Sequence, residues 1–110
     1  MLSVTLHADG AGCLRRLVVR GHAPDIACAA ITALTRTAAT LLAAQPALEC
    51  RGAAPRPGVL DLQVGAVPVR HRDWVRGISA MVEHGVRAVA TEYPRGVVVE
   101  CMGWNHGTQD

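Results

Sequence analysis

A histidine and a cysteine in one short segment, Gly21-His22-Ala23-Pro24-Asp25-Ile26-Ala27-Cys28, are the residues of this chain best placed to do chemistry. His22 follows what reads as the end of a strand. Cys28 falls in the first turn of an Ala-rich helix, around its third position if Asp25 is the N-cap. The N–H groups of a first helical turn have no intrahelical acceptor, and the helix dipole favours negative charge there. A thiol so placed ionises more readily than a free one. An imidazole arriving from the neighbouring strand could take its proton, and the free N–H groups could receive the oxyanion formed when the thiolate attacks a carbonyl. That chemistry is acyl transfer through a thioester. A plainer reading covers the same residues one at a time. Cys28 is then a small buried hydrophobe, His22 a surface residue and Asp25 a helix cap. Thr32 is a helix residue bonding back to a carbonyl. Spacing alone leaves both readings open.

The elements that must position this segment follow from periodicity. Leu2, Val4 and Leu6 alternate with polar residues, as in a half-buried strand. Asp9-Gly10-Ala11-Gly12 is turn chemistry, and Cys13 to Arg20 reads as the second arm of a hairpin. A helix is predicted from Asp25 to about Gln45, with Ile31, Leu34, Ala38 and Leu41 as its apolar stripe and Pro46 as its stop. Ala47 to Arg51 is expected as a short strand, 52–58 as a loop and Val59 to Val64 as a further strand. Trp74, Ile78, Val82, Val86, Val89 and Tyr93 recur at helical spacing, so a second helix is predicted over 72–92, with Trp74 as a core anchor and Pro94 ending it. Val97-Val98-Val99 makes a last strand. The order ββαββαβ predicts an α/β (α+β) fold: one two-layer domain over 1–101 with two helices on a five-stranded sheet, and a polar tail over 102–110.

Composition narrows the function classes. Half of the 110 residues are hydrophobic and 18% are charged, which favours a folded core over disorder. With Trp74, Tyr93 and Trp104 as the only aromatics, the core must be built from Ala, Val, Leu and Ile. A core that small makes a homodimer a reasonable expectation. The net charge is +2, all basic residues are Arg, and no aromatic platform lies between them, so nucleic-acid binding is not expected. Arg15-Arg16 and the run 70–76 read as solvated faces. The N-terminus lacks a signal-peptide pattern, and no apolar run approaches the roughly 20 residues of a membrane span. A cytoplasmic protein is expected. Cys13, Cys28, Cys50 and Cys101 form no Cys-x-x-Cys pair and are expected to be free thiols. The five histidines, His7, His22, His71, His84 and His106, are dispersed, so no metal site is expected.

The run Gly-His-Ala, then Asp-Ile-Ala-Cys-Ala-Ala-Ile-Thr-Ala-Leu, is similar to the paired motifs of the ribosomal-processing cysteine protease family (Prp). There the pattern is typically Gly-His-Ala, a loop, then Asp-Ile-Val-Cys-Ala-Ala-Val-Ser-Ala-Leu. The ββαββαβ order and the Glu92-Tyr93-Pro94 helix ending also resemble that family. The resemblance implies Cys28 as nucleophile, His22 as its base, Asp25 beside the dyad and Thr32 in the place of a small hydroxyl residue. It implies a homodimer without cofactor that removes an N-terminal extension from a large-subunit ribosomal protein. One departure stands out. The family's loop between the His and Asp motifs is longer and Gly-rich, and covers substrate. Here it is cut to Ala23-Pro24, and proline stiffens it, so altered substrate gating is expected. A reading of another class is a non-catalytic homologue serving as a ribosome-associated interaction module.

Overall fold

A computed structural model describes residues 1–56 and 58–103. The sheet is built first from a hairpin, β1 (Leu2–Ala8) and β2 (Leu14–Gly21). Asp9 closes its turn by accepting the N–H groups of Ala11 and Cys13 at 2.9 and 3.0 Å. Helix α1 (Asp25–Ala43) follows, then β3 (Arg51–Arg56), β4 (Val59–Gln63), α2 (Arg72–Glu92) and β5 (Val97–Met102). Short 3-10 turns at Pro46–Leu48 and Val69–His71 join them. The sheet order is β3-β4-β2-β1-β5. β5 runs parallel to β1, and every other pair is antiparallel. The predicted ββαββαβ order, with two helices on a five-stranded mixed sheet, is the fold observed.

Register explains where the core sits. Leu60, Val19, Val4 and Val99 lie in one row across four strands, and Leu62, Leu17, Leu6 and Cys101 in the next. Because strand side chains alternate, these rows share one face, the face the helices cover. Leu2, Val4, Leu6 and Leu17 are fully buried there, beside Ala27, Ile31 and Leu42 of α1 and Val75, Val82 and Val86 of α2. Two buried hydroxyls are satisfied, and one of them joins helix to sheet. Ser79 Oγ accepts the Leu14 N–H at 2.8 Å and donates to the Val75 carbonyl at 2.7 Å. Thr35 donates to the Ile31 carbonyl at 2.8 Å.

Several expectations are corrected. Trp74 is 42% exposed, and Val75, one residue on, takes the core position. In the same way Leu41 is exposed and Leu42 buried. A helical stripe read from one sequence leaves its edge uncertain by one residue, and at Trp74/Val75 packing took the smaller side chain. Of the strand expected at 47–51, Ala47 and Leu48 lie in a 3-10 turn and only Arg51 is strand, the first residue of β3, which runs on through the expected loop. β3 is an edge strand, where the missing N–H of Pro55 is tolerated. Met102, assigned to the tail, belongs to β5; 104–110, with Trp104 and His106, lie outside the described residues. Finally, α1 is long and apolar enough, at mean hydropathy 1.6, to pass as a membrane span by length and composition. Its many alanines raise that average, and its buried stripe is packed in the core beneath it.

Ser79→Ala would leave the buried Leu14 N–H without a partner. The substitution is expected to cost about 1–3 kcal/mol, read as a lower urea midpoint with an unchanged slope.

Candidate active site at the start of the first helix

The candidate site lies where the central strand β2 stops and α1 begins, and glycines set its backbone. Gly21, the last residue of β2, has φ +102, and a Cβ there would fall 2.2 Å from the Met1 carbonyl oxygen. Only glycine combines that left-handed conformation with so close an approach. β2 therefore ends against the start of β1, and His22 leaves the sheet at once. Ala23 and Pro24 are all that separates it from the helix. Pro24 in turn packs on the segment after α2, where a Cβ on Gly96 would lie 2.9 Å from Pro24 Cδ. The Gly96 carbonyl also accepts the Leu2 N–H at 2.8 Å, so β1, the link and the start of β5 are tied together.

The helix starts at Asp25, as predicted, but its cap lies one residue earlier than expected. Pro24, in an extended conformation at φ −52 and ψ 148, is the N-cap, and no side chain caps the helix. Asp25 is thus the first helical residue, exposed, with its carboxylate still at the positive end of the dipole. Cys28 becomes the fourth helical residue, and its N–H donates to the Pro24 carbonyl at 2.9 Å. The amides left without an intrahelical acceptor are those of Asp25, Ile26 and Ala27. Oxyanion stabilisation would fall to them. Proline explains the shift: its fixed φ suits the residue that leads into a helix, and its carbonyl opens the hydrogen-bond ladder.

Cys28 is half-buried, while His22 is exposed. A fully extended link plus one helical turn holds their Cα atoms within roughly 13 Å. Among the described residues no side-chain hydrogen bond joins His22, Asp25 and Cys28. Thr32 is half-buried one turn beyond Cys28 on the same helix stripe. Pro24 lines a cavity of about 340 Å³ with Glu92, Tyr93, Pro94, Arg95 and Gly96. The Glu92-Tyr93-Pro94 ending therefore belongs to the neighbourhood of the link, a placement that spacing within the chain could not give.

The other thiols differ in kind. Cys13 is fully buried, with its Sγ 3.7 Å from the Arg72 carbonyl. Burial pushes the Cys13, Cys50 and Cys101 thiols above their ordinary range. All four cysteines are free. Of the remaining candidates, His84 is exposed on α2 and His71 is half-buried just before it. Arg76 makes a long contact with Asp73 at 3.7 Å, as a solvated face would.

Against this geometry, the family model for the cysteine protease Prp matches residues 1–98. This chain belongs to the Prp family. It is a cysteine protease by that membership, and its fold is that of solved Prp enzymes. The ribosomal processing protease Prp of Staphylococcus aureus, solved with a covalently linked product peptide, superposes with a TM-score of 0.73. The match covers 92% of this chain and 99% of the S. aureus chain at 16% identity. The S. aureus enzyme solved with a substrate peptide gives 0.72 over the same shares at 14% identity. A Streptococcus mutans protein gives 0.65 over 93% of this chain and 94% of its own, at 19% identity. No curated protein matches the sequence.

The Prp fold thus leaves three thiols raised by burial and one at a helix start. At neutral pH iodoacetamide is expected to alkylate Cys28 at least several-fold faster than Cys13, Cys50 or Cys101, because only thiolate reacts. Peptide mapping by mass spectrometry at timed quenches gives the order.

Proposed function

We propose that this Prp-family chain is an endopeptidase that removes an N-terminal extension from a large-subunit ribosomal protein, with Cys28 as nucleophile and His22 as base. The observation that carries the proposal is the position of Cys28, one turn into α1 behind three free amides, with His22 on the short link before it. Family membership supports thiol chemistry. The S. aureus relative, described as a ribosomal processing protease and solved with substrate and covalently linked product peptides, supports a ribosomal peptide as the substrate.

The mechanism follows from the residues present. His22 takes the Cys28 proton, and the thiolate attacks the scissile carbonyl carbon, forming a C–S bond. The amides of Asp25, Ile26 and Ala27 hold the oxyanion. As the C–N bond breaks, the imidazolium of His22 gives its proton to the leaving amine. His22 then draws a proton from water, which hydrolyses the thioester and restores the thiol. Asp25 keeps negative charge near the imidazolium, and Thr32 offers a hydroxyl one turn from the sulfur. Ala23 and Pro24 contact substrate as a short, fixed wall. A cytoplasmic homodimer working without cofactor completes the reading. The short link, and the absence of a His22–Cys28 hydrogen bond among the described residues, favour one alternative: a homologue that binds the ribosomal protein without cutting it.

The host's full-length candidate ribosomal protein, incubated with wild type, Cys28→Ala and His22→Gln, separates the two by intact-mass spectrometry. Cleavage near the substrate N-terminus by wild type is expected, with none by Cys28→Ala and a loss of about 10²–10⁴-fold in rate for His22→Gln. Binding by all three without cleavage would replace the protease with the interaction module.

A further inference from the structure

Cys28, Thr32 and Arg36 stand four residues apart, so they form one stripe along α1. All three are half-buried, as is Ala39, while Ala29, Ala33 and Thr37 beside them are exposed. The stripe borders the β3 edge of the sheet: Arg36 Nη2 donates to the Ala54 carbonyl of β3 at 3.4 Å. Beyond it, Ala39 and Thr40 of α1 face Ala54, Leu60 and Leu62 across a cavity of about 200 Å³. A second cavity of about 270 Å³, lined by Arg36, Thr37, Thr40 and Leu41, shares Thr40 with the first. A shallow, largely apolar trough thus borders, from Arg36 onward, the helix stripe that starts at the candidate nucleophile.

Arg36 is the one charged side chain on that stripe. Its hydrogen bond to Ala54 uses a single N–H at long range, and no carboxylate pairs with it among the described residues. A half-buried guanidinium keeps several donors in a fork that fits a carboxylate. Eight residues at about 1.5 Å each place Arg36 roughly 12 Å along the axis from Cys28. An extended peptide covers that span in three to four residues at about 3.3 Å each.

We infer that Arg36 is a specificity-determining residue that recognises an Asp or Glu side chain three to five residues from the scissile bond, in a substrate chain lying along the α1–β3 trough. The inference rests on Cys28 being the nucleophile. Arg36 touches substrate and takes no part in the bond-making steps. Charge complementarity selects the occupant: among the described residues Arg36 is the one charged residue lining the two cavities, and a peptide that follows the stripe from Cys28 reaches it.

The test digests a randomised decapeptide library with wild type, Arg36→Lys, Arg36→Gln and Arg36→Glu, and reads every cut site by mass spectrometry. Wild-type sites are expected to be enriched on the order of tenfold in Asp or Glu at one position three to five residues from the cut, on one side only. Arg36→Lys should keep part of that preference, Arg36→Gln should lose it, and Arg36→Glu should favour Lys or Arg there. In 0.5 M salt the wild-type preference should weaken. A purely structural Arg36, tying α1 to β3, would lower the yield of all cuts and leave the preference unmoved. Cleavage with the same profile in wild type and Arg36→Glu overturns the inference and leaves the protease standing. No cleavage by wild type overturns both.

Discussion

The close approach of Gly21 to the Met1 carbonyl governs the site, because it decides where the central strand stops. β2 is paired on both sides, to β1 and β4, and its end is fixed by the same register that builds the core rows. A side chain at that position would displace Met1, just before β1, or shorten β2. Either change would move His22. From Gly21 the chain has only His22, Ala23 and Pro24 before the helix, so strand and helix are coupled almost rigidly. Pro24 supplies both the stiffness and the carbonyl that begins the helical hydrogen-bond ladder.

That rigidity gives the chain a different character from a protease with a long flexible cover. A mobile loop must be ordered when substrate binds, at an entropic cost for every residue fixed. A two-residue link has almost none of that freedom to lose. Selectivity must then reside in surfaces already formed, and those adjoining the helix include the wall made by Pro24 and the segment after α2, and the trough between α1 and β3. The first is near the start of the helix and the second runs from its middle. Cys28 lies one turn into the same helix, so the proposed nucleophile, the first-turn amides and both surfaces share one rigid element.

Electrostatics elsewhere in the molecule is local. Asp61 sits between Arg16 and Arg20 at 3.0 and 3.7 Å on the sheet face away from the helices, and the two-pronged bond from Arg16 holds its carboxyl below the usual range. These side chains are largely exposed, so the network adds little to stability. Glu83 is the buried exception, with its carboxylate 3.0 Å from Arg87 on α2. Neither cluster includes a residue at the start of α1, where Asp25 and the helix dipole supply charge and Glu92 and Arg95 line the cavity beside Pro24.

By itself the sequence determined the element order, the limits of α2, the alternation that faces β1 and β2 inward, and the placement of Cys28 at a helix start after His22. These are local properties: a period of 2 or 3.6, a turn residue or a proline acts over a few neighbours and is legible there. The tertiary structure alone decided that β3 lies at the edge and so tolerates Pro55, that Val75 and Leu42 enter the core in place of Trp74 and Leu41, and that Pro24 caps the helix instead of Asp25. It also brought the segment after α2 against Pro24, and Arg36 against Ala54. Each of those outcomes depends on which distant segment arrives alongside, and pairing energies between residues far apart in the chain leave no periodic trace in one sequence.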